Sequence, residues 1–344
     1  MTHPPDQREC FDAALIPGMR GRLAEAYGRF RAREAEVIKA TAPPAAGGSS
    51  GAYRQRDCPC CGVGSAGVVP VLRAHGMDLL DCPGCGLTYT RQVMDEVADA
   101  ARYASSELDR EAMRLRGGGP YLELESARDR YYLMQLMAGG FPPGRMLEVG
   151  CGTGTLILEA QSCGWQALGI EPGQAAARVA QERGAQVVHG WFPADLPADA
   201  RKHDAVAVLD VLEHFAAPLA FLAELRACLG PGGRLLVQVP NWDSPLVRLQ
   251  GAASSVVAPG HWSYFTSVTL TALLARAGFR PLRVETVVSE LDRIAAFPAA
   301  DVQACIGRLR PGLVVPQGPL TAAWLHAHGL GYKLIGVFAL PEVH

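Results

Sequence analysis

The chain has 344 residues, 49% hydrophobic and 19% charged, which excludes a disordered chain and leaves enough apolar material for two domains with a ligand cleft. Its 32 basic side chains against 34 acidic ones give a formal charge of −2, without the basic excess that phosphate contacts call for; a small-molecule partner is expected and nucleic acid is not. No apolar run reaches the roughly 18–20 residues of a bilayer span, and Met1–Cys10 lacks the basic-then-apolar layout of a secretory leader, so a cytoplasmic protein without membrane contact is expected.

Arg20–Ala40 is rich in Ala, Arg and Glu and free of proline, which predicts a helix with a thin apolar stripe of Leu23, Tyr27, Phe30 and Val37. Thr41–Gly51, rich in Pro, Gly and Ser, reads as a flexible linker, so residues 1–52 form a helical arm and its tether. Residues 53–90 form a unit built on Cys58-Pro59-Cys60-Cys61-Gly62 and Cys82-Pro83-Gly84-Cys85-Gly86, with twenty residues between Cys61 and Cys82. Each Cys-Pro-x-Cys-Gly knuckle turns two thiolates together. Two knuckles make an S4 tetrahedron at Cys58, Cys61, Cys82 and Cys85, the pattern of a structural Zn2+ ribbon, with rubredoxin-like iron as the alternative. Cys60 stays outside that set, and four protein ligands leave no open catalytic position.

Residues 91–140 read as a charged helical connector or lid, including a helix over Tyr121–Met137. From residue 141 to 344 strand and helix patterns alternate, which implies parallel strands with crossover helices. The strand candidates are Arg145–Gly150, Gln166–Glu171, Gln186–His189, Ala205–Leu209 and Arg234–Val239, then Leu282–Val288 and Lys333–Leu340. Gly230-Pro231-Gly232-Gly233 reads as a break before the fifth strand.

Gly150-Cys151-Gly152-Thr153-Gly154 follows the buried-strand pattern Met146-Leu147-Glu148-Val149 and opens a helix, a place where the backbone turns tightly and approaches a ligand. The spacing is G-x-G-x-G, not the G-x-G-x-x-G of dinucleotide folds, since Thr155 occupies the sixth place, and no P-loop lysine follows. With Glu148 ahead of it, this form resembles motif I of the class I S-adenosylmethionine-dependent methyltransferases. That resemblance covers roughly residues 120–340. It implies an α/β, Rossmann-like sheet of seven strands, the last antiparallel, with helices on both faces; the small zinc ribbon read from the cysteines stands at its N-terminal side.

The resemblance also implies a cofactor, S-adenosylmethionine, and its site. Glu148, Gly150, Cys151, Gly152 and Gly154 form the turn. Glu171, 17 residues past Gly154 at the tip of the second strand, grips the ribose, unless it only caps the helix after Pro172. Trp191 or Phe192 flanks the adenine, and either suits a core position equally. Backbone at Leu209 and Asp210 faces the methionine part, and His214, in Leu212-Glu213-His214, falls near the methyl group.

His261-Trp262-Ser263-Tyr264-Phe265-Thr266 resembles the loop that covers the active site in related methyltransferases, and a variant of it marks sugar C-methyltransferases. Methyl transfer needs alignment and exclusion of water, with a base for a hydroxyl or carbon acceptor. His214 and His261 are the candidate bases, although a helix cap and a loop hydrogen bond explain them as simply, and Tyr264 is expected to orient the substrate. In the ribbon, Arg54, Arg56 and Arg73 balance Asp57, Asp78 and Asp81, so it is expected to shape the cleft and not to hold RNA. The expected function is methyl transfer to an O, N or C atom of a small molecule in specialised metabolism. The alternatives are an RNA methyltransferase and a non-catalytic S-adenosylmethionine-binding protein.

Overall fold

The computed structural model describes residues 6–41, 53–103, 107–197 and 202–341, so the linker expected at 41–51 lies outside the described residues beyond Thr41. The arm forms a short 3-10 turn at Gln7–Phe11, then α1 (Met19–Arg22) and α2 (Ala24–Thr41). It is pinned to the body by chemistry at its start. Phe11 is buried against Tyr131 and Tyr132, with centroids 5.4 and 6.4 Å away, and Asp12 Oδ2 accepts from the Ser289 N–H at 2.6 Å.

The cysteine unit carries β1 (Tyr53–Gln55), β2 (Leu72–Ala74), β3 (Met77–Asp81), β4 (Thr88–Thr90) and β5 (Gln92–Met94), and β1 pairs with β5. The connector follows as α3 (Glu96–Ala101), α4 (Glu107–Arg116) and α5 (Gly119–Met137). Asp95 caps α3 by accepting from the Ala98 N–H at 2.8 Å. Pro120 in the first turn of α5 has no amide hydrogen to leave unpaired.

The central sheet contains β6 (Arg145–Val149), β7 (Gln166–Glu171), β8 (Val187–His189), β9 (His203–Leu209), β10 (Leu229–Pro240), β12 (Arg280–Val287) and β13 (Lys333–Ala339) in the order β12-β13-β10-β9-β6-β7-β8. Strands β8, β7, β6, β9 and β10 run parallel, and β13 is antiparallel to both its neighbours, as the seven-strand pattern implied. The parallel strands read as near-continuous apolar runs because helices cover both faces. On one face lie α5, α6 (Thr155–Ser162) and α7 (Gln174–Glu182). On the other lie α8 (Pro218–Ala227) and, beyond α9 (Pro245–Gln250) and β11 (Ser263–Tyr264), α10 (Ser267–Arg276). Thr266 and Thr269 close a capping box at the start of α10. Helices α11 (Leu291–Ile294), α12 (Ala299–Leu309) and α13 (Ala322–Ala327) fill the span between β12 and β13.

One expectation is corrected here. Gly230–Gly233 does not break the chain before a strand; β10 begins at Leu229, which pairs with His203, and the glycines form a register shift inside it. The ribbon sheet has the order β11-β4-β3-β2, so its edge strand β11 pairs with β4 from about 175 residues downstream.

Strand order reverses between β6 and β9, and open α/β sheets bind ligands in the crevice outside the carboxyl ends at such a point. The glycine turn, Glu171 and Asp210 all lie at that edge.

Candidate active site

The turn after β6 is held open by its backbone. Gly150, Gly152 and Gly154 have φ of +73°, +52° and +75°, the left-handed region where glycine carries no penalty. A Cβ on Gly150 would lie 2.6 Å from Val211, and one on Gly154 would lie 2.7 Å from Ala185, so packing excludes larger residues there. A Cβ on Gly152 would meet nothing within 4 Å; that glycine borders free space of the kind a ligand fills.

Glu171 ends β7 with its carboxylate buried across the turn. Oε2 accepts from the Gly152 N–H at 2.9 Å and Oε1 from the Gly173 N–H at 2.8 Å. Burial raises its pKa despite those two bonds. Arg183 anchors the far side of the turn, donating to the Thr153 carbonyl at 2.6 Å and to Thr155 Oγ1 at 3.0 Å. The Cys151 thiol points inward against Gly169, where an added Cβ would lie 2.5 Å from its sulfur, so this residue offers a ligand its backbone alone.

Glu148 faces α5 and is buried with Oε2 lacking any hydrogen-bond partner. Burial first, and then the neighbouring Asp129 and Glu125, push its pKa well above the carboxylate range. Arg116 and Arg128 meet this acidic group through Glu125 Oε1 at 2.9 and 3.2 Å.

Of the two aromatic candidates after β8, Trp191 is 43% exposed and its ring meets Tyr103 edge-on at 5.1 Å. Phe192 turns inward against Phe221, at 5.8 Å. At the end of β9, Leu209 is half-buried and Asp210 adopts φ of +55°. Burial opposes ionisation of Asp210, but Lys333 Nζ, 2.5 Å from Oδ1, brings its pKa below the ordinary value. A cavity of about 990 Å³ opens beside this pair. Arg128 and Val257 line it from the body, and Phe11, Tyr27 and Phe30 of the arm roof it.

His214 and His261 meet edge-to-face with ring centroids 4.6 Å apart, so the structure brings the two candidate bases together. His214 Nδ1 donates to the Gly260 carbonyl at 2.7 Å, which leaves Nε2 with its lone pair. Burial, then the neighbouring charges, lowers both imidazoles, His261 to about 4 and His214 well below its usual value. Both are neutral at neutral pH. Tyr264 does not join them. It packs on Trp242, 5.0 Å away, in the cluster with Met77 and Leu79, and its hydroxyl has no partner.

The four cysteine sulfurs converge. Cys58 and Cys85 Sγ are 3.6 Å apart, Cys61 and Cys82 Sγ are 3.3 Å apart, and the four lie within 4.8 Å of one another. A tetrahedron with Zn–S bonds of about 2.3 Å has edges of about 3.8 Å, so the set fits a structural zinc ion. The Gly84 N–H points at Cys82 Sγ from 3.4 Å. Burial opposes ionisation of Cys82, yet hydrogen bonds from Cys61, Cys85 and Gly84 bring it to about 7.

The ribbon reaches the histidine loop through Trp262. Its carbonyl accepts from the Thr90 N–H at 3.0 Å and from the buried Arg56 guanidinium, which also donates to the Ala216 carbonyl at 2.6 Å. The Trp262 N–H in turn donates to the Glu213 carbonyl at 2.8 Å. Lys333, Tyr103, Arg183 and Arg56 were not anticipated from sequence. Each comes from an element far along the chain, and no local motif marks it.

A family model described as a methyltransferase domain matches residues 101–284. The chain is 31% identical over 157 residues to a tRNA U34 carboxymethyltransferase of Methylococcus capsulatus (strain ATCC 33009 / NCIMB 11132 / Bath), covering 41% of this chain and 46% of the relative. It is 33% identical over 114 residues to a ubiquinone biosynthesis O-methyltransferase of Bradyrhizobium sp. (strain ORS 278), covering 31% and 45%. The chain therefore spans a little under half the length of these curated relatives. A crystal structure of the plantazolicin methyltransferase BamL superimposes with a TM-score of 0.47 at 14% identity, covering 70% of this chain and 94% of that one.

The expectation that put nucleic acid outside the partners is corrected by relatives named for a tRNA base. A whole-chain sum hides local surfaces. Residues 19–41 carry six bases against three glutamates, but Arg20, Arg22, Arg29 and Arg33 are paired with acidic side chains of the body, which leaves Arg31 and Lys39 outside those ion pairs. No helix among the described residues is long and apolar enough to cross a membrane.

Proposed function

Since the chain belongs to the methyltransferase-domain family, we propose that it binds S-adenosylmethionine at the carboxyl edge of β6, β7 and β9 and transfers the methyl group to an acceptor held beside His214 and His261. The observation that carries this reading is the open glycine turn facing a buried Glu171. Glu148 and the turn Gly150, Cys151, Gly152 and Gly154 would hold the cofactor by backbone and shape. Glu171 would hold the ribose, Trp191 the adenine, and Leu209 and Asp210 the methionine part. The cofactor supplies a methyl group activated on a sulfonium.

The protein's share of the chemistry is positioning and proton handling. Two neutral imidazoles at the acceptor end offer lone pairs for a proton lost from a hydroxyl or carbon acid. The arm covers the cavity beside Asp210 and Lys333, next to the methionine end of the assigned cofactor site. The ribbon fixes the His261 loop through Trp262. The reduced thiols of the ribbon suit a cytoplasmic setting.

We assign two acceptor readings. A tRNA acceptor is supported by the tRNA U34 carboxymethyltransferase relatives. An acceptor bearing a hydroxyl, including one from specialised metabolism, is supported by the ubiquinone O-methyltransferase relatives and by the aromatic roof of the cavity.

Calorimetry with S-adenosylmethionine and S-adenosylhomocysteine tests the cofactor assignment, and absence of heat with both removes it. Label transfer from the methyl donor to bulk tRNA or to catechol-type phenols separates the acceptors, with steep salt dependence expected of tRNA alone. His214→Ala is expected to reduce turnover more than cofactor affinity, and an unchanged rate would end its assignment to the acceptor.

A further inference from the structure

Glu213 is 1% exposed, yet neither of its carboxylate oxygens has a hydrogen-bond partner. A buried carboxyl without partners is costly unless something else satisfies it. Beside it stand His214 and His261. One ligand-type atom from each of the three side chains lies within 4.8 Å of the others. His261 Nδ1 is buried and also lacks a partner. His214 donates its Nδ1 proton to the Gly260 carbonyl, the arrangement by which a backbone carbonyl fixes a metal-binding imidazole with the other nitrogen free.

We infer that Glu213, His214 and His261 form a second metal site, distinct from the cysteine tetrahedron, for a divalent transition-metal ion. Two imidazoles and a carboxylate suit Zn2+, Fe2+, Mn2+ or Co2+ and suit Mg2+ or Ca2+ poorly, because the hard cations prefer oxygen alone. Three protein ligands leave positions open, unlike the closed cysteine site. This rests on the assignment of both histidines to the acceptor end and changes their part there from bases to ligands: an ion would take the acceptor's oxygen or nitrogen as a further ligand and make its proton easier to lose to solvent. The backbone link from Glu213 to Trp262 and on to Thr90 couples this site to the ribbon.

The test is a Co2+ titration of the full chain with its ribbon zinc retained and counted, read by visible d–d absorption. One equivalent of Co2+ per chain beyond the zinc, without thiolate charge-transfer bands, is expected for the wild type. Glu213→Gln and His261→Gln are each expected to weaken that uptake at least tenfold while one zinc per chain and S-adenosylhomocysteine binding persist, which shows them folded. Uptake carrying thiolate bands, no uptake beyond the ribbon, or variants that bind as the wild type does would overturn the proposal. The titration is read without the methyl donor, so loss of cofactor binding in calorimetry would sink the methyl-transfer reading and leave the cobalt result standing.

Discussion

Lys333, the first residue of the last strand, holds Asp210 at the tip of β9 through an Nζ–Oδ1 contact of 2.5 Å across 123 residues of sequence. The pair joins the antiparallel strand β13 to the crevice where the cofactor is assigned. Lys333→Met is expected to destabilise the fold by about 1–3 kcal/mol, less than the ~3–5 for a fully buried pair, because Asp210 keeps a third of its side chain exposed. It is also expected to weaken S-adenosylhomocysteine binding. The double variant Asp210→Asn, Lys333→Met should recover much of the lost Tm, and a double-mutant cycle measures the coupling.

Glu171 stands in a different position, with its charge shared by two backbone N–H groups of neighbouring turns. Glu171→Ala removes both acceptors and the ribose contact together. Calorimetry is expected to show at least a tenfold loss of S-adenosylhomocysteine affinity, about 1.4 kcal/mol. Equal affinity in the variant and the wild type would mean that Glu171 only shapes the loop.

The ribbon gives a prediction at a distance. Cys82→Ser, or extraction of the metal with a strong chelator, is expected to loosen β4 and with it the β11 pairing that fixes Trp262. Turnover should fall with the zinc content while cofactor binding survives, and Trp262 fluorescence should shift in step. Full turnover in zinc-free protein would show that the ribbon does not support the loop.

Asp129, buried behind the glycine turn, has its carboxyl pushed up to about 7 by burial, against an ordinary value near 3.8. Below about pH 4 the folded and unfolded chains both carry this proton. Between pH 4 and 7 the unfolded chain releases it and the folded chain keeps it, so stability falls as pH rises through that window and levels off above 7. Asp129→Asn removes this contribution. Urea melts are expected to show the variant gaining on the wild type from pH 4.5 to pH 8, on the order of 1–3 kcal/mol. A constant difference across that range would show that Asp129 titrates normally.

Local chemistry was legible in the sequence. The glycine turn and each cysteine knuckle depend on residues a few positions apart, and the parallel strands followed from the alternation of patterns, whereas the seven-strand order and the place of Glu171 came from the resemblance. What escaped was contact between distant segments. Arg56 reads as one charge in a balanced ribbon, yet it is buried and bonded to the carbonyls of Ala216 and Trp262. Tyr103 sits at the end of a charged stretch and meets Trp191 only after folding. Tyr264 lies three residues from His261, but strand alternation sends its ring to the ribbon side. Glu213 carries no mark of its own within Leu212-Glu213-His214, because its lack of partners shows only in three dimensions.

The pairing of Thr88–Thr90 with Ser263–Tyr264 also sets an order of events during synthesis. All four thiolates lie within 28 residues, well ahead of β11, so the knuckles can capture their ion soon after they leave the ribosome. The edge of β4 then waits through some 170 further residues for its neighbour. A chain that stalls or starves for metal before that point exposes an unpaired strand edge, and aggregation during expression should rise in zinc-poor medium.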